Sequence, residues 1–333
     1  MNIIIPMAGL GKRLRPHTLT TAKPLLPIVG KPIVHRLVED IAQVCPEKIN
    51  YIGFIVHPGF GRQVEDDLKA VAKAVGAEGK IYYQEQALGI SHALLFAKEL
   101  FEGKVIVAFA DTLFRADFRL DTSRDGTIWV QQVANPSQFG VIKLNDQGEI
   151  IGLVEKPSSF VSDLAIIGIY FFKEGEKLRA EMQHLIDHDI KEKGEYQFTT
   201  ALENMRKKGA LFFPGQVQEW LDCGNKDNMI QTNQRYLEFI NNQKLISDKI
   251  TVTNSTLIPP VFIDDSVIIE NSVIGPYASV GAGTRITDSR IQNSIIQKNC
   301  TIRNGNLKDS LLGNFVTFDG KSAELDLGDY SSI

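Results

Sequence analysis

Two glycines, Gly9 and Gly11, are followed at once by Lys12, Arg13 and Arg15, and later by Lys23, all behind the apolar run Ile3-Ile4-Ile5. Glycine lets a backbone approach a ligand closely, with its amide hydrogens turned inward. Arg13 offers a planar fork of donors suited to phosphate oxygens, and Lys23 a movable point charge. Residues 1–38 carry six Lys or Arg and no Asp or Glu, in a chain whose net charge is −4. A local cation excess in an acidic protein points to a small anionic ligand rather than a polyanion. Two familiar phosphate loops do not fit. A Walker loop needs glycine five residues before the Gly-Lys pair and Ser or Thr after it, where Pro6 and Arg13 stand. A dinucleotide fingerprint needs a third glycine where Leu14 stands, which removes a hydride-transfer reading.

Further carboxylates come from distant parts of the chain. Asp111 ends the apolar run Val105–Ala110, which predicts a place at a carboxyl edge of a sheet, where open α/β folds bind ligands. Asp222 follows another apolar stretch. Strand-like runs at 49–56 and 104–110 alternate with helical patterns at 32–44 and 90–101, which predicts a mainly parallel sheet with helices on both faces. Asn145-Asp146-Gln147-Gly148 reads as a hairpin turn, so part of the sheet should be antiparallel. Residues 225–244 read as a polar helix leading away from this domain.

After residue 250 the rhythm changes. An aliphatic or aromatic residue recurs every six positions at Phe262, Ile268, Ile274, Val280 and Ile286, with Ser266, Ser272, Ala278 and Thr284 four residues later. After phase slips the pattern resumes at Ile296 and Ile302, then at Leu312 and Phe318. Asn254-Ser255, Asn271-Ser272, Asn293-Ser294 and Asp309-Ser310 form a second echo. A six-residue period fits a flat-sided β-solenoid, and resembles the hexapeptide repeat of left-handed β-helices.

With 333 residues, 43% hydrophobic and 23% charged, the chain is expected to hold two soluble domains. No run is long enough for a transmembrane helix, and Met1-Asn2 leads into a strand without a signal peptide. Cys45, Cys223 and Cys300 are far apart, which suits a reducing cytoplasm better than disulfides or zinc.

The segment Ala8 to Pro16, with Thr18 and Lys23-Pro24-Leu25-Leu26-Pro27, resembles the signature of sugar-1-phosphate nucleotidyltransferases, such as glucose-1-phosphate thymidylyltransferases and UDP-glucose pyrophosphorylases. Gln84 to Gly89 with His92-Ala93 resembles the family's base-binding segment, and Ala110-Asp111 its metal-binding step. Phe139-Gly140-Val141, Glu155-Lys156-Pro157, Gly168-Ile169-Tyr170 and Trp220 to Gly224 follow in the family's order. Two positions depart from the pattern: Lys12 stands where Ser or Thr is usual, and Ala110 where glycine is usual. The resemblance implies a Rossmann-like α/β fold, a mixed and mainly parallel sheet flanked by helices. It places the nucleotidyltransferase domain at 1–240, including the connecting helix from about 225, and a left-handed parallel β-helix at 250–333.

It also implies roles. Ala8, Gly9, Gly11, Lys12, Arg13, Gln84 and Gly89 would bind the nucleotide. Gly140, Glu155, Lys156 and Gly168 would bind the sugar phosphate, and Asp111 and Asp222 would hold Mg²⁺. Arg13, Lys23 and Lys156 would carry the catalytic charge. The implied reaction joins a nucleoside triphosphate and a sugar 1-phosphate into a nucleotide sugar and pyrophosphate. A glutamine amide at Gln84 both donates and accepts, as the edge of thymine or uracil requires. The choice between dTTP and UTP stays open, because one methyl separates them. Two alternatives remain beside this reading: a guanylyltransferase using mannose 1-phosphate, and a non-catalytic regulator that binds nucleotide sugars. An acyltransferase is not expected, since all six histidines precede the solenoid. The flat solenoid faces predict a homo-oligomer; no nucleic-acid or membrane partner is expected.

Overall fold

A computed structural model describes residues 1–320. Its contacts divide the chain into two units: residues 1–26 with 32–224, and residues 27–31 with those from 225 onward. The boundary therefore falls at Gly224, and the helix expected to close the first domain groups with the second unit.

The first unit is built on a nine-stranded sheet. Asn2–Pro6 pairs in parallel with Tyr51–Val56 on one side and Val105–Ala108 on the other, and Tyr51–Val56 pairs in parallel with Glu78–Tyr83. The sheet then turns antiparallel at Leu164–Phe172, which joins Val105–Ala108 to Gly126–Gln132 and Gly140–Leu144. The expected hairpin is present. Asn145 Oδ1 accepts from the amides of Gln147 at 3.1 Å and Glu149 at 2.8 Å, which fixes the turn between Gly140–Leu144 and Ile150–Glu155. Outside the main sheet, Thr112–Arg115 and Glu219–Asp222 form a separate antiparallel ribbon.

Ile3, Ile4 and Ile5 are wholly buried, as a strand covered on both faces requires. The helix Ile33–Val44 buries Ile33, Val34, Leu37, Val38 and Ile41, following Pro32 at its N-cap. The helix expected over 90–101 is shorter. It runs Ile90–Leu94 and continues as a 3₁₀ turn over Leu95–Leu100, with Ala97 outside helical dihedrals. The buried residues Leu94, Ala97 and Leu100 recur every three positions, which suits a three-residue turn better than an α-helix.

The second unit holds the helix Lys226–Phe239, capped by the Asn225 side chain, which accepts from the Asn228 amide at 2.9 Å. Three all-parallel sheets of five, four and four short strands follow, giving the expected left-handed parallel β-helix. Ile268 pairs with Arg285 and Arg285 with Thr301, so the coils are 17 and then 16 residues long. A strict six-residue period would make them 18, and this corrects the register at two positions. Ile263 and Ile269 are the residues buried in the solenoid core, while Phe262 and Ile268 are only partly covered. The remainder of the expected solenoid, 321–333, lies outside the described residues. No helix among the described residues is long and apolar enough to cross a membrane.

Candidate active site

At the carboxyl ends of the parallel strands lies a cavity of about 440 Å³, lined among others by Ala8, Gly9, Gly11, Lys12, Arg13 and Lys23. The segment 12–25 is wound into three short 3₁₀ turns. Gly11 opens the first of them at φ 57°, in the left-handed region. A Cβ on Gly11 would meet Thr18 Cγ2 at 2.9 Å and Lys23 Cβ at 3.0 Å, so glycine is required for the loop to close on Lys23. Gly9 also lines the cavity, and a Cβ on it would have no atom beyond its chain neighbours within 4 Å.

Lys23 is 8% exposed, and its ammonium donates to Asp111 Oδ2 at 2.7 Å. The acid missing from residues 1–38 is therefore supplied by the turn after Val105–Ala108. Lys12, Arg13 and Arg15 form no ion pair among the described residues. Asp222 comes to the same place through the antiparallel ribbon: it pairs with Thr112, and the Cys223 amide donates to the Asp111 carbonyl at 2.9 Å. The Gly224 amide donates to Asp222 Oδ1 at 2.9 Å. A Cβ on Gly224 would lie 3.0 Å from both Asp222 carboxylate oxygens and 3.3 Å from Arg13 Nη2. Arg13 and Asp222 thus flank one small space that only glycine leaves free.

Gln84 and Gly89 also line the cavity. The Gln84 amide nitrogen donates to the Gln86 carbonyl at 2.9 Å, which orients its oxygen away from that contact. Gly89 stands at φ 110°, and a Cβ there would strike the Tyr196 backbone at 2.6 Å. The segment that covers Gly89 also brings Glu195 to the cavity. Sequence reading missed Glu195; it closes a tight turn, bridged to Glu192 by two backbone hydrogen bonds around left-handed Lys193 and Gly194, and no motif marks it as a site residue. Burial lowers the pKa of His17 and His92, so neither adds charge to the site at neutral pH.

The four residues assigned to the sugar phosphate do not line this cavity. Gly140 and Glu155 are register partners, and a Cβ on Gly140 would come within 3.1 Å of Glu155 Oε2. Lys156 follows at φ 42°, with its ammonium 3.5 Å from Glu155 Oε1. Two contacts tie this corner to the aspartates. Phe139 packs edge-on against Trp220, two residues from Asp222, with ring centroids 4.8 Å apart. Gly168, at φ 86°, accepts from the Phe109 amide at 2.9 Å and lets the Phe109 ring press on its backbone. Phe109 lines the cavity and stands two residues before Asp111.

Among the described residues no cluster of three or more His, Cys, Asp or Glu could hold a metal ion. Two hard carboxylates, one in the turn before Thr112–Arg115 and one at the end of Glu219–Asp222, suit Mg²⁺, which binds through one or two carboxylates together with phosphates. The donor set of Asp111 and Asp222 fits that ion.

The family described as Nucleotidyl transferase matches residues 2–238. The glucose-1-phosphate thymidylyltransferase of Streptomyces antibioticus is 31% identical over 348 residues, covering 95% of this chain and 93% of that protein. The bifunctional protein GlmU of Methanococcus vannielii is 29% identical, covering 96% of this chain and 79% of that protein. A crystal structure from Bacillus anthracis, assigned as a glucose-1-phosphate thymidylyltransferase, superposes with a TM-score of 0.60 at 25% identity, covering 70% of this chain and 94% of that one. Loop, paired aspartates and relatives lead to one assignment: this chain belongs to the nucleotidyl transferase family, as a sugar-1-phosphate nucleotidyltransferase that makes nucleotide sugars.

Proposed function

We propose that the protein transfers a thymidylyl or uridylyl group from dTTP or UTP to glucose 1-phosphate, releasing pyrophosphate. One observation carries the reading: Arg13 and Lys23 of the N-terminal loop, Asp111 and Asp222, drawn from three distant places in the chain, meet beside the glycines. The 31% identity to a glucose-1-phosphate thymidylyltransferase over nearly the whole chain supports the choice of substrates.

A sugar phosphate oxygen attacks the α-phosphorus in line, a P–O bond forms, and the bond to the β-phosphate breaks to release pyrophosphate. The nucleophile has a second pKa of about 6, so it is already ionised at neutral pH and needs no general base. The barrier lies in bringing two polyanions together and in charge building on the leaving group. Gly9 and Gly11 let the triphosphate lie against backbone amides. Arg13, which forms no ion pair among the described residues, clamps the departing pyrophosphate. Lys23 rests on Asp111 in the free protein and exchanges that carboxylate for phosphate oxygens when substrate enters. Gln84 and Gly89 accept the base. Gly140, Glu155, Lys156 and Gly168 hold the sugar phosphate, with Lys156 countering its charge. Asp111 and Asp222 would hold Mg²⁺, which would supply positive charge against that building on the leaving group.

The test is a matrix of dTTP, UTP, GTP, CTP and ATP against glucose, mannose and N-acetylglucosamine 1-phosphates, read by pyrophosphate release. The fastest rate is expected with dTTP or UTP and glucose 1-phosphate. A fastest rate with GTP and mannose 1-phosphate overturns the substrate choice. Binding of a nucleotide sugar with no release from any pair would make the protein a regulator.

A further inference from the structure

The helix Gly175–Asp187 of the first unit ends in a pair of imidazoles, with His188 as its C-cap. His184 and His188 stand at i and i+4, the spacing that sets side chains one turn above another on a single face. Their ring centroids are 4.1 Å apart and their planes tilted by 43°. His184 is half-buried and His188 exposed, so solvent reaches both. Neither lines the cavity that holds Asp111.

The tautomer of His188 is set by its neighbour. Its Nδ1 lies 3.0 Å from the His184 carbonyl oxygen. A carbonyl can only accept, so Nδ1 carries the hydrogen and Nε2 of the neutral ring keeps its lone pair. Metal-binding histidines are oriented in this way, one ring nitrogen donating to a backbone carbonyl while the other holds the ion. Among the described residues, no hydrogen bond reaches either ring nitrogen of His184. The last carbonyls of the helix add negative potential at this end, which favours a bound cation.

The nearest carboxylates are engaged elsewhere. Asp187 Oδ1 accepts from Gln183 Nε2 at 2.8 Å. Asp189 Oδ1 accepts from the Tyr196 hydroxyl at 2.7 Å and pairs with the Lys191 ammonium at 2.6 Å. The donor set is therefore two imidazole nitrogens, with water completing the shell. Imidazole suits Cu²⁺, Ni²⁺ and Zn²⁺, and affinity among these ions peaks at Cu²⁺. Mg²⁺ prefers oxygen ligands and Mn²⁺ stands lowest in the series, so neither competes for the pair.

We propose that His184 and His188 form a surface site for a late transition-metal dication, with Nε2 of His188 as one ligand and a ring nitrogen of His184 as the other. The site is separate from the paired aspartates of the cavity and takes ions of the opposite preference. It does not rest on the reaction proposed above, because neither histidine touches the cavity.

The test is calorimetric titration of the untagged full chain with Cu²⁺, Ni²⁺ and Zn²⁺ in turn, in excess Mg²⁺ to occupy oxygen-rich sites. Cu²⁺ should bind most tightly, and electron spin resonance of the Cu²⁺ form should show coupling to two imidazole nitrogens. His184→Ala and His188→Ala should each weaken binding at least about tenfold and erase the two-nitrogen signature. If the half-buried His184→Ala does not fold, the exposed His188→Ala is read by the same criteria. Unchanged Cu²⁺ affinity in a folded His188→Ala protein, displacement of the ion by Mg²⁺, or no Cu²⁺ binding to the wild type would overturn the proposal. Pyrophosphate release plays no part in this readout, so failure of the histidine site and failure of the catalytic reading are told apart.

Discussion

Gly224→Ala is the sharpest perturbation the site offers. Gly224 is buried, and its φ lies outside the left-handed region, so alanine meets no backbone strain there. Its methyl would stand 3.0 Å from both oxygens of Asp222 and 3.3 Å from Arg13 Nη2. Carbon–heavy-atom contacts are comfortable near 3.5 Å, so the Asp222 carboxylate must retreat by about 0.5 Å. Catalytic groups tolerate roughly that much displacement before rates suffer, and an error of 1 Å costs on the order of a hundredfold. The expected loss in kcat is therefore about ten- to a hundredfold, equivalent to about 1.4 to 2.7 kcal/mol in the barrier. The atoms that yield are the ends of two polar side chains, so the fold should survive with Tm lowered by no more than about 4 °C. Initial rates of pyrophosphate release at saturating substrates, beside a thermal melt, give both numbers. Wild-type kcat in a folded Gly224→Ala protein would refute the idea that Arg13 and Asp222 share this space for catalysis.

Four other outcomes follow from the same geometry. Lys23→Ala should leave the circular dichroism spectrum unchanged and lower turnover at least about a hundredfold, and near-normal turnover would remove Lys23 from the mechanism. Asp222→Asn keeps an acceptor for the Gly224 amide but loses its charge, so half-maximal activity should need about tenfold more Mg²⁺; an unchanged titration counts against a metal role. Gly9→Ala puts a methyl into space that no protein atom fills within 4 Å, so the fold should be untouched while the nucleotide KM rises; a KM equal to that of wild type would mean the triphosphate does not lie there. Burial pushes the Cys45 thiol up to about 12 and raises Cys300, while Cys223 is buried. At pH 8 Cys45 and Cys300 stay protonated and Cys223 is shut away from solvent, so the native protein should show no fast-reacting thiol with a disulfide reagent, against three in denaturant. A full equivalent reacting quickly in the native state would contradict that placement.

What the sequence disclosed was local chemistry. Gly9, Gly11 and Arg13 announce a phosphate loop because residue type alone limits what such a segment can do. The parallel start of the sheet and the hairpin at Asn145 were legible for the same reason. Partnerships across the chain were not. Nothing near Lys23 indicates that Asp111, 88 residues on, supplies its carboxylate. The ribbon that brings Asp222 beside Thr112 depends on a pairing that neither strand encodes by itself. The solenoid shows the mixed case. Its repeat was visible, but coils of 17 and 16 residues place some faces one residue short of six, so Ile263 and Ile269 turn inward instead of their neighbours.

The Asn-Ser echo, by contrast, has a direct physical cause. Asn254 and Asn271 take left-handed corners, and the Asn254 amide nitrogen donates to Asn271 Oδ1 at 2.9 Å. The following serines bond the next coil: the Ser272 amide donates to Ser255 Oγ at 2.9 Å, and the Ser289 amide to Ser272 Oγ at 3.0 Å. Asn293-Ser294 and Asp309-Ser310 repeat the device at a different corner. A single echo in the sequence thus combines two ladders on two edges, which is why its spacing looked irregular.

The most direct measurement is a crystal structure of the protein with a non-hydrolysable dTTP analogue and Mn²⁺, the metal located by its anomalous scattering. The account predicts one manganese peak with Asp111 and Asp222 among its ligands, the triphosphate lying over Gly9 and Gly11, and Arg13 on its terminal phosphates. A triphosphate bound away from residues 7–24, or manganese held elsewhere in the chain, would contradict it.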